Sequence, residues 1–486
     1  MTNFRVDPEA LILVQRNWTI YHTTWANVEA GLLDDEDLVL VQRMDQIYHM
    51  RVGDYRDGTT SLGELDFVWA NLETQDRNEF APSYKHFHFP WAQLRGLEFT
   101  LGEESQLTKP IYSSTQTMLN LWVENIRPSW DGDDPRLICP GGRVIPLRGS
   151  IGGRTRIQLN RNDPQYLAGE YMLVGQFDHI QFEGSYALTS VKFEEDIWNM
   201  MFWWNQGLQT DRRPHDPTDE LGFKLFRNCV NLLDIKGAGA GKSIRLCRGE
   251  RTFDVDLNFN GEVNGLVVAT GPDSTTNNMF NSCKKFNNGG ESMNSFKVKG
   301  IKNLESMFHN CLEFNADITT WDVSECEDMS GMFAECKVFN QDIGGWNVKN
   351  VTNTSEMIRE CDSFDQDLGA WDVSNVTDMH GMFAYGGDGG FNNGGSDSIK
   401  NWDVGNVKNF GYMFARIPFN QPIGSWDTGG HLNADSFYEV FVDASNFNQD
   451  LTNWCVNRVT QVPDNFAKGT PIEGDLTKLP VWGTCP

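Results

Sequence analysis

Apolar residues in the second half of the chain fall at fixed places in a phrase that is written again and again. "MFHNCLEFNADITTWDV" from Met307, "MFAECKVFNQDIGGWNV" from Met332 and "MIRECDSFDQDLGAWDV" from Met357 follow one another at 25 residues. Looser copies start at Met413 and Val440, and Trp321, Trp346, Trp371, Trp402, Trp426 and Trp454 mark six successive units. Within one unit Trp371 and Val373 alternate with Asp372, the period of a short strand with one buried face. Val376, Met379, Met382 and Phe383 then fall close to one stripe of a short helix, with Ser374, Asn375 and Thr377 placed to cap it. Each unit predicts one strand, a turn or two of helix and a loop. Parallel strands stack about 4.8 Å apart and packed helices about 8–10 Å apart, so stacked units should curve with strands inside.

Upstream the pattern fades. "MFNSCKKFN" from Met279 lacks its tryptophan, and "LFRNCVNLLDI" from Leu225 keeps only the start of the phrase. Terminal coils of repeat arrays are commonly degenerate, which puts the beginning near residue 220. Before it, "RTRIQLNRN" from Arg154 and "YMLVGQFDHIQFEGSYALTSVKF" from Tyr171 read as alternating strands and turns of an antiparallel, sandwich-like domain. "WNMMFWWNQ" from Trp198 reads as core, or as an oligomer interface. The first fifty residues write one phrase twice, "LVQRNWTIYH" from Leu13 and "LVQRMDQIYH" from Leu40, which predicts two hairpins with a variable tip.

The expected architecture is thus mixed α+β. Residues 1–60 form a duplicated hairpin module for docking, 61–219 a β-rich domain, and 220–486 a curved α/β solenoid of leucine-rich-like repeats of about 25 residues with terminal caps.

Composition narrows the partners. A formal net charge of −27 repels phosphate backbones and anionic lipid, which argues against nucleic acid and membrane surfaces. No apolar run of about 18 residues suggests a membrane span. The opening "MTNFRVDPEALILVQR" carries acids and a proline where a secretory leader needs a basic start and an apolar run, so a chain made and assembled in the cytoplasm is expected. Cys283, Cys311, Cys336 and Cys361 recur with the repeat, so they read as a ladder of buried thiols. On helices of neighbouring coils they would lie beyond the roughly 7 Å reach of a disulfide, and the array would need no oxidising compartment.

The phrase MF-x-x-C-x-x-FNQDI-x-x-W-x-V-x-N-V-T-x-M, carried from about Met279 to Trp454, resembles the repeat of the BspA-like leucine-rich-repeat surface proteins. That resemblance implies an adhesive or protein-binding array without catalytic residues. The "DDxxLVxR…YxV" phrasing of the opening is similar to stretches near the starts of structural proteins of marine phages, where it serves assembly. It implies roles for Arg16, Tyr21, Arg43 and Tyr48 in an assembly module. The alternative is that Leu13, Val14, Leu40 and Val41 build a small local core.

Several patterns suggest chemistry. The middle residue of each W-x-V segment, Asp322, Asn347, Asp372, Asp403 and Asp427, would face the concave side as a ladder of like charges about 5 Å apart. It either binds a cation, a basic partner or a hydroxyl-bearing glycan, or caps the turn that follows. "DLNFNGEVNGLV" offers Asp256, Asn258 and Asn260 to calcium but has Val267 where the loop needs a bidentate glutamate; it also reads as a strand entering an Asn-Gly turn. "KGAGAGKS" from Lys236 imitates a phosphate loop, yet lysine stands where the first glycine belongs and a strand, not a helix, should follow. His86 and His88 in "KHFHF" share a strand face, and Asp131, Asp133 and Asp134 share a turn; both read as surface features.

The function expected is a non-enzymatic bacteriophage virion protein, a peripheral tail or fibre component. It is made in the host cytoplasm and released by lysis. Other virion proteins would hold the N-terminal module, a host surface protein or glycan would meet the solenoid, and the chain would form a homo-oligomer with no cofactor beyond a possible calcium ion. The alternatives are capsid decoration, a bacterial surface adhesin, and a glycan-degrading virion enzyme.

Overall fold

The computed structural model describes, between residues 12 and 67, the backbone of five strands. Beyond them it describes residues 97–108, 117–124, 135–147, 154–161, 166–174, 179–192, 225–236, 244–246, 249–268, 275–428 and 433–486. The chain divides into two units: residues 1–93 with 199–219, and residues 94–198 with 220–486.

In the first unit the repeated phrase builds β1 (Ile12–Arg16), β2 (Thr19–Thr23), β3 (Leu38–Arg43) and β4 (Gln46–Arg51), followed by β5 (Asp66–Phe67). Each copy is an antiparallel hairpin, and the hairpins join through β1 and β3 into a sheet ordered β2-β1-β3-β4-β5. Leu13 pairs with Leu40, its counterpart in the other copy. Antiparallel pairing of a segment with its own duplicate places a local two-fold axis between them, so one phrase written twice yields a self-complementary sheet.

The second unit opens with strands β6 (Leu97–Leu101), β7 (Thr117–Glu124), β8 (Arg136–Ile138), β9 (Val144–Pro146), β10 (Arg154–Asn160), β11 (Gly169–Val174), β12 (His179–Gln181) and β13 (Leu188–Lys192). They form a three-stranded antiparallel sheet, β10-β7-β12, and a larger one in which β13 pairs in parallel with β14 (Asp234–Lys236), giving β14-β13-β6-β11-β8-β9. A last parallel pair joins β15 (Ile244–Leu246) to β16 (Leu266–Val268).

Beyond residue 268 the structure overturns the expected α/β solenoid. Among the described residues no α-helix forms, only short 3-10 segments, and from residue 275 onward the coils share only single parallel bridges: Thr275, Asn303, Asp328, Asn353, Asp378 and Asn409 in succession. The backbone is a ribbon of overlapping turns. Leu304, Ser306, Phe308 and Asn310 donate their N–H groups to Asp328, Ser330, Met332 and Ala334 carbonyls in the next coil at 2.7–2.9 Å, while the N–H groups between them, of Met307, His309 and Cys311, close turns three residues back at 3.0–3.2 Å. Alternate donors thus point along the stack and into the coil, which satisfies the backbone without helix or strand. Turns 304–307 and 308–311 have Ser306 (φ 53) and Asn310 (φ 58) at the third position, where a type II turn demands positive φ. Residues 331/335, 356/360, 381/385, 412/416 and 439/443 repeat this pair. A left-handed residue every few positions forbids an α-helix. The curvature argued from helix thickness falls with it.

The interior is three columns of rings. Phe182, Phe226, Phe253, Phe280, Phe308 and Phe333 follow at 5.2–5.9 Å between centroids. Ile358 takes the next place and Phe383, Phe414 and Phe441 resume the line. Phe286, Phe314, Phe339, Phe364, Phe391, Phe419 and Phe447 form the second column at 5.6–6.1 Å. In the third, each of the six marker tryptophans donates its indole N–H to a carbonyl one coil back, from Trp321 to Met293 (2.8 Å) through Trp454 to Ile423 (2.9 Å). Burying one such side chain stabilises by roughly 1.5–3 kcal/mol, and the columns spread that gain evenly over the coils.

The first rung lies in the β-rich segment. Phe182 and Gly184 donate N–H to Leu225 and Arg227 carbonyls, the Ser185 N–H closes the same turn onto Phe182, and Phe182 stacks on Phe226. The boundary expected at residue 219 therefore separates segments that hydrogen-bond to each other.

The cysteines need a second correction. The thiols are free and buried as expected, but they do not sit on helices. Instead Cys283, Cys311, Cys336 and Cys361, all buried, each donate S–H to a phenylalanine carbonyl one coil back at 2.9–3.0 Å. Outside this column Cys455 and Cys485 form a disulfide, so the array is not built on free thiols alone.

Candidate functional site

The expected ladder is exposed, and Asp322, Asn347, Asp372 and Asp403 each turn back on their own coil. Asp322 Oδ1 accepts the Ser324 N–H (3.2 Å) and hydroxyl (2.6 Å), and Asp372 does the same with Ser374 at the same two distances. Asn347 Oδ1 accepts the Lys349 N–H and Asp403 Oδ1 the Gly405 N–H. The serine hydroxyls hold the Asp322 and Asp372 carboxyls below the usual carboxylate range. Lys299 pairs with Asp322 at 3.2 Å, and Asn347 stands as a neutral rung between Asp322 and Asp372. Asp427 is exposed in the same register. These local bonds make Asp322, Asp372 and Asp403 turn caps.

The three calcium candidates are tied to different partners. Asp256 is wholly buried and accepts the Cys229 N–H at 2.7 Å. Asn258 donates to the Val230 carbonyl, and Asn260 Oδ1 accepts the Asn287 and Gly289 N–H groups. Asp256 Oδ1, Asn258 Nδ2 and Asn260 Oδ1 are thus each engaged by a neighbouring coil. Among the described residues no three His, Cys, Asp or Glu side chains are grouped to hold a metal. The strand expected through Phe253 and Phe259 is a run of turns.

A ladder that the sequence reading passed over runs along the FNQD phrase. Asn260, Asn287, Asn315, Asn340, Asp365, Asn392 and Asn420 each accept, through Oδ1, the N–H of the residue that takes their own place one coil on, at 2.7–3.1 Å. Gln341, Gln366, Gln421 and Gln449 donate side-chain N–H to the same asparagines. The signal was the Asn, or once Asp, directly after each phenylalanine of the second column, a polar position as regular as the apolar ones.

The turn ribbon presents a second outward face at its left-handed positions. Ser306, Gly331, Glu356, Gly381, Tyr412 and Glu439 share one position, and Asn310, Glu335, Glu360, Tyr385, Arg416 and Asp443 the other, all with φ between 50° and 66°. Left-handed backbone costs a side-chain-bearing residue about 1–2 kcal/mol, so a bulky residue is held there against local preference. Tyr385 and Tyr412 pack on Ala384, Ala415 and Val442, and His380 and Tyr438 meet Tyr412 edge-on at 5.4 and 5.3 Å. The Arg359 and Arg416 guanidiniums lie over the Tyr385 ring at 5.3 and 5.4 Å while pairing with Glu360 (2.6 Å) and Asp443 (3.3 Å). Hydrogen bonds to Glu439 and Tyr412 push the Tyr438 phenol up to about 12.

In the N-terminal sheet Arg16 pairs with Thr19 and Arg43 with Gln46 at the hairpin tips, while Tyr21 pairs with Val14 and Tyr48 with Val41. The glycine-rich stretch after Lys236, the aromatic run from Trp198, His86 and His88, and Asp131, Asp133 and Asp134 lie outside the described residues. The strand expected after that stretch is β15.

A family model described as "Mycoplasma protein of unknown function, DUF285" matches residues 274–394 and 389–479. Both stretches lie in the turn-ribbon coils, in agreement with the BspA-like character of their phrase. No curated protein and no solved structure matches the chain.

Proposed function

We propose that this chain is a non-enzymatic attachment protein of a bacteriophage particle. Its duplicated N-terminal sheet docks to other virion proteins, and its coils present a binding face to the host surface. One observation carries the binding role. From coil to coil the buried positions scarcely change, while the outward positions of the same backbone run from Ser306 and Asn310 to Glu360, Tyr385 and Arg416. A fixed frame with varied outward side chains suits recognition, as in other repeat arrays. The virion setting is supported by the likeness of the opening phrase to phage structural proteins. Assembly in the host cytoplasm and homo-oligomerisation belong to the same proposal.

The family match favours a second reading, a binding protein displayed on a bacterial cell. Mass spectrometry of particles purified from the producing lysate separates the two. Peptides of this chain in fixed ratio to those of the capsid support the virion reading, and their absence overturns it. Binding of the purified chain to intact host cells tests attachment itself.

A further inference from the structure

The left-handed positions offer a second line of argument. Glycine holds the Tyr412 position in two other coils, as Gly331 and Gly381, so the backbone does not need a tyrosine there. Yet the coils from Arg359 to Asp443 fill these strained places and their neighbours with a histidine, three tyrosines and two arginines. Strained, bulky, partly exposed side chains collected on one face point to a ligand.

We propose that Tyr412, Tyr438 and His380, beside the Tyr385 ring that Arg359 and Arg416 overlie, form a platform for an uncharged oligosaccharide. This rests on the attachment reading above and names its ligand class. Rings from successive coils stand close, with Tyr385 6.4 Å from Tyr412 and Tyr412 5.3 Å from Tyr438, and Ala384, Ala415 and Val442 support them from beneath. Both guanidiniums are already answered by carboxylates, which leaves no surplus positive charge for a phosphate or an acidic glycan. The aliphatic groups under the rings are buried, so what a ligand meets is the rings and their polar edge. What remains is an aromatic surface edged by two arginine–carboxylate pairs. The C–H face of a sugar ring packs on tyrosine, and its hydroxyls both donate and accept hydrogen bonds.

The test is titration of the full chain, followed by intrinsic fluorescence and calorimetry. The probes are two- to six-unit oligomers of glucose, galactose, mannose and N-acetylglucosamine, with polygalacturonate as the acidic comparison. Saturable binding of a neutral oligomer is expected, weakened about tenfold or more in Tyr412→Gly. Because glycine suits that backbone, relief of the left-handed strain offsets the ring packing that is lost, so the variant should still fold and melt as one transition near the parent, which separates lost recognition from lost folding. Tyr438→Ala, at a position outside the left-handed set, should weaken the same ligand. The proposal is overturned if no neutral oligomer binds, if polygalacturonate binds more tightly, or if both variants keep the parent affinity. A chain that adheres to host cells unchanged by Tyr412→Gly refutes this platform and leaves attachment standing. Sugar binding at this face without any cell binding does the reverse.

Discussion

Asp256 stands in its coil where Cys283 stands in the next. Each follows a buried phenylalanine by three residues and closes the same turn, Asp256 N–H onto the Phe253 carbonyl and Cys283 N–H onto that of Phe280, both at 3.0 Å. A carboxyl thus interrupts a column of thiols, with Cys229 on one side and Cys283 on the other.

Burial pushes the Asp256 carboxyl well above the usual carboxylate range; the Cys229 N–H opposes this and Asp254 adds to it. Its Oδ2 is buried without a hydrogen-bond partner. A carboxyl whose pKa is raised on folding contributes stability that is fully present below its unfolded value, about 3.9, and lost as pH climbs through the folded value. Asp256→Asn keeps an acceptor for the Cys229 N–H and cannot ionise. The variant should therefore gain on the parent as pH rises, with the difference in urea midpoint smallest near pH 4 and growing toward pH 8. A difference that is flat with pH would mean that the Asp256 carboxyl titrates alike in the folded and unfolded chain, as a solvated group does, and would overturn this reading.

The asparagine ladder makes a simpler prediction. Asn340 Oδ1 accepts both the Asp365 N–H (3.1 Å) and the Gln366 side-chain N–H (2.8 Å). Asn340→Ala strands a backbone donor and should cost about 1–2 kcal/mol in equilibrium unfolding. Asn340→Asp should cost less, since Asp365 fills the same role one coil on, taking the Asn392 N–H at 2.7 Å. Equal losses in the two variants would show that amide donation, not acceptance, matters at this position.

These ladders show what the sequence made legible. The period, the indole column and the buried cysteines could be read because each depends on one residue type recurring at one spacing. The local backbone could not. Leu304, Met307, Phe308 and Cys311 are all buried at spacings of three, four and seven, the stripe of an amphipathic helix, yet a ribbon of overlapping turns buries the same spacings. The discriminating signal was Gly331 and Gly381 inside the supposed helix, where glycine is a poor former. The tyrosine face was hidden because Tyr385, Tyr412 and Tyr438 belong to three different copies at unequal spacing, and only the register of the coils assembles them. The place of Asp256 in the thiol column was hidden because its own loop invites comparison with a calcium motif or an Asn-Gly turn, and only the register of the coils sets it beside Cys229 and Cys283.

The turn ribbon itself can be tested at Gly381. A Cβ there would meet only Glu356 Cγ at 3.5 Å and Ala384 Cβ at 4.0 Å, ordinary contacts, so Gly381→Ala meets no steric barrier beyond its own φ of 57°. The variant should lose about 1 kcal/mol from backbone strain alone, whereas Glu356→Gly, at the same position one coil earlier, should gain a similar amount. A helix at this position would reverse both signs, because alanine favours helix and glycine weakens it. Thermal melts of the two variants decide between these backbones.

The last rung shows how the stack ends. Pro463 occupies the position from which Met329, Met379 and Phe410 donate to the next coil, and it has no N–H to give. The Gly469 N–H, which would also point onward, is taken by the Glu473 carboxylate at 2.9 Å. The Cys455–Cys485 disulfide then holds the tail back on the stack, where the Val456 N–H donates to the Thr484 carbonyl and the Gly483 N–H to that of Val456. A bridge spanning 30 residues stabilises by roughly 3 kcal/mol through the entropy of the open chain. In a stack where each coil touches only its neighbours, that loss should stay local. Cys485→Ser should therefore speed amide exchange at Val456, Trp454 and Leu451 while leaving Phe308 and Ser306 protected. Uniform acceleration across the stack would mean that the coils unfold as one cooperative block, with the disulfide as a global restraint and not an end clamp.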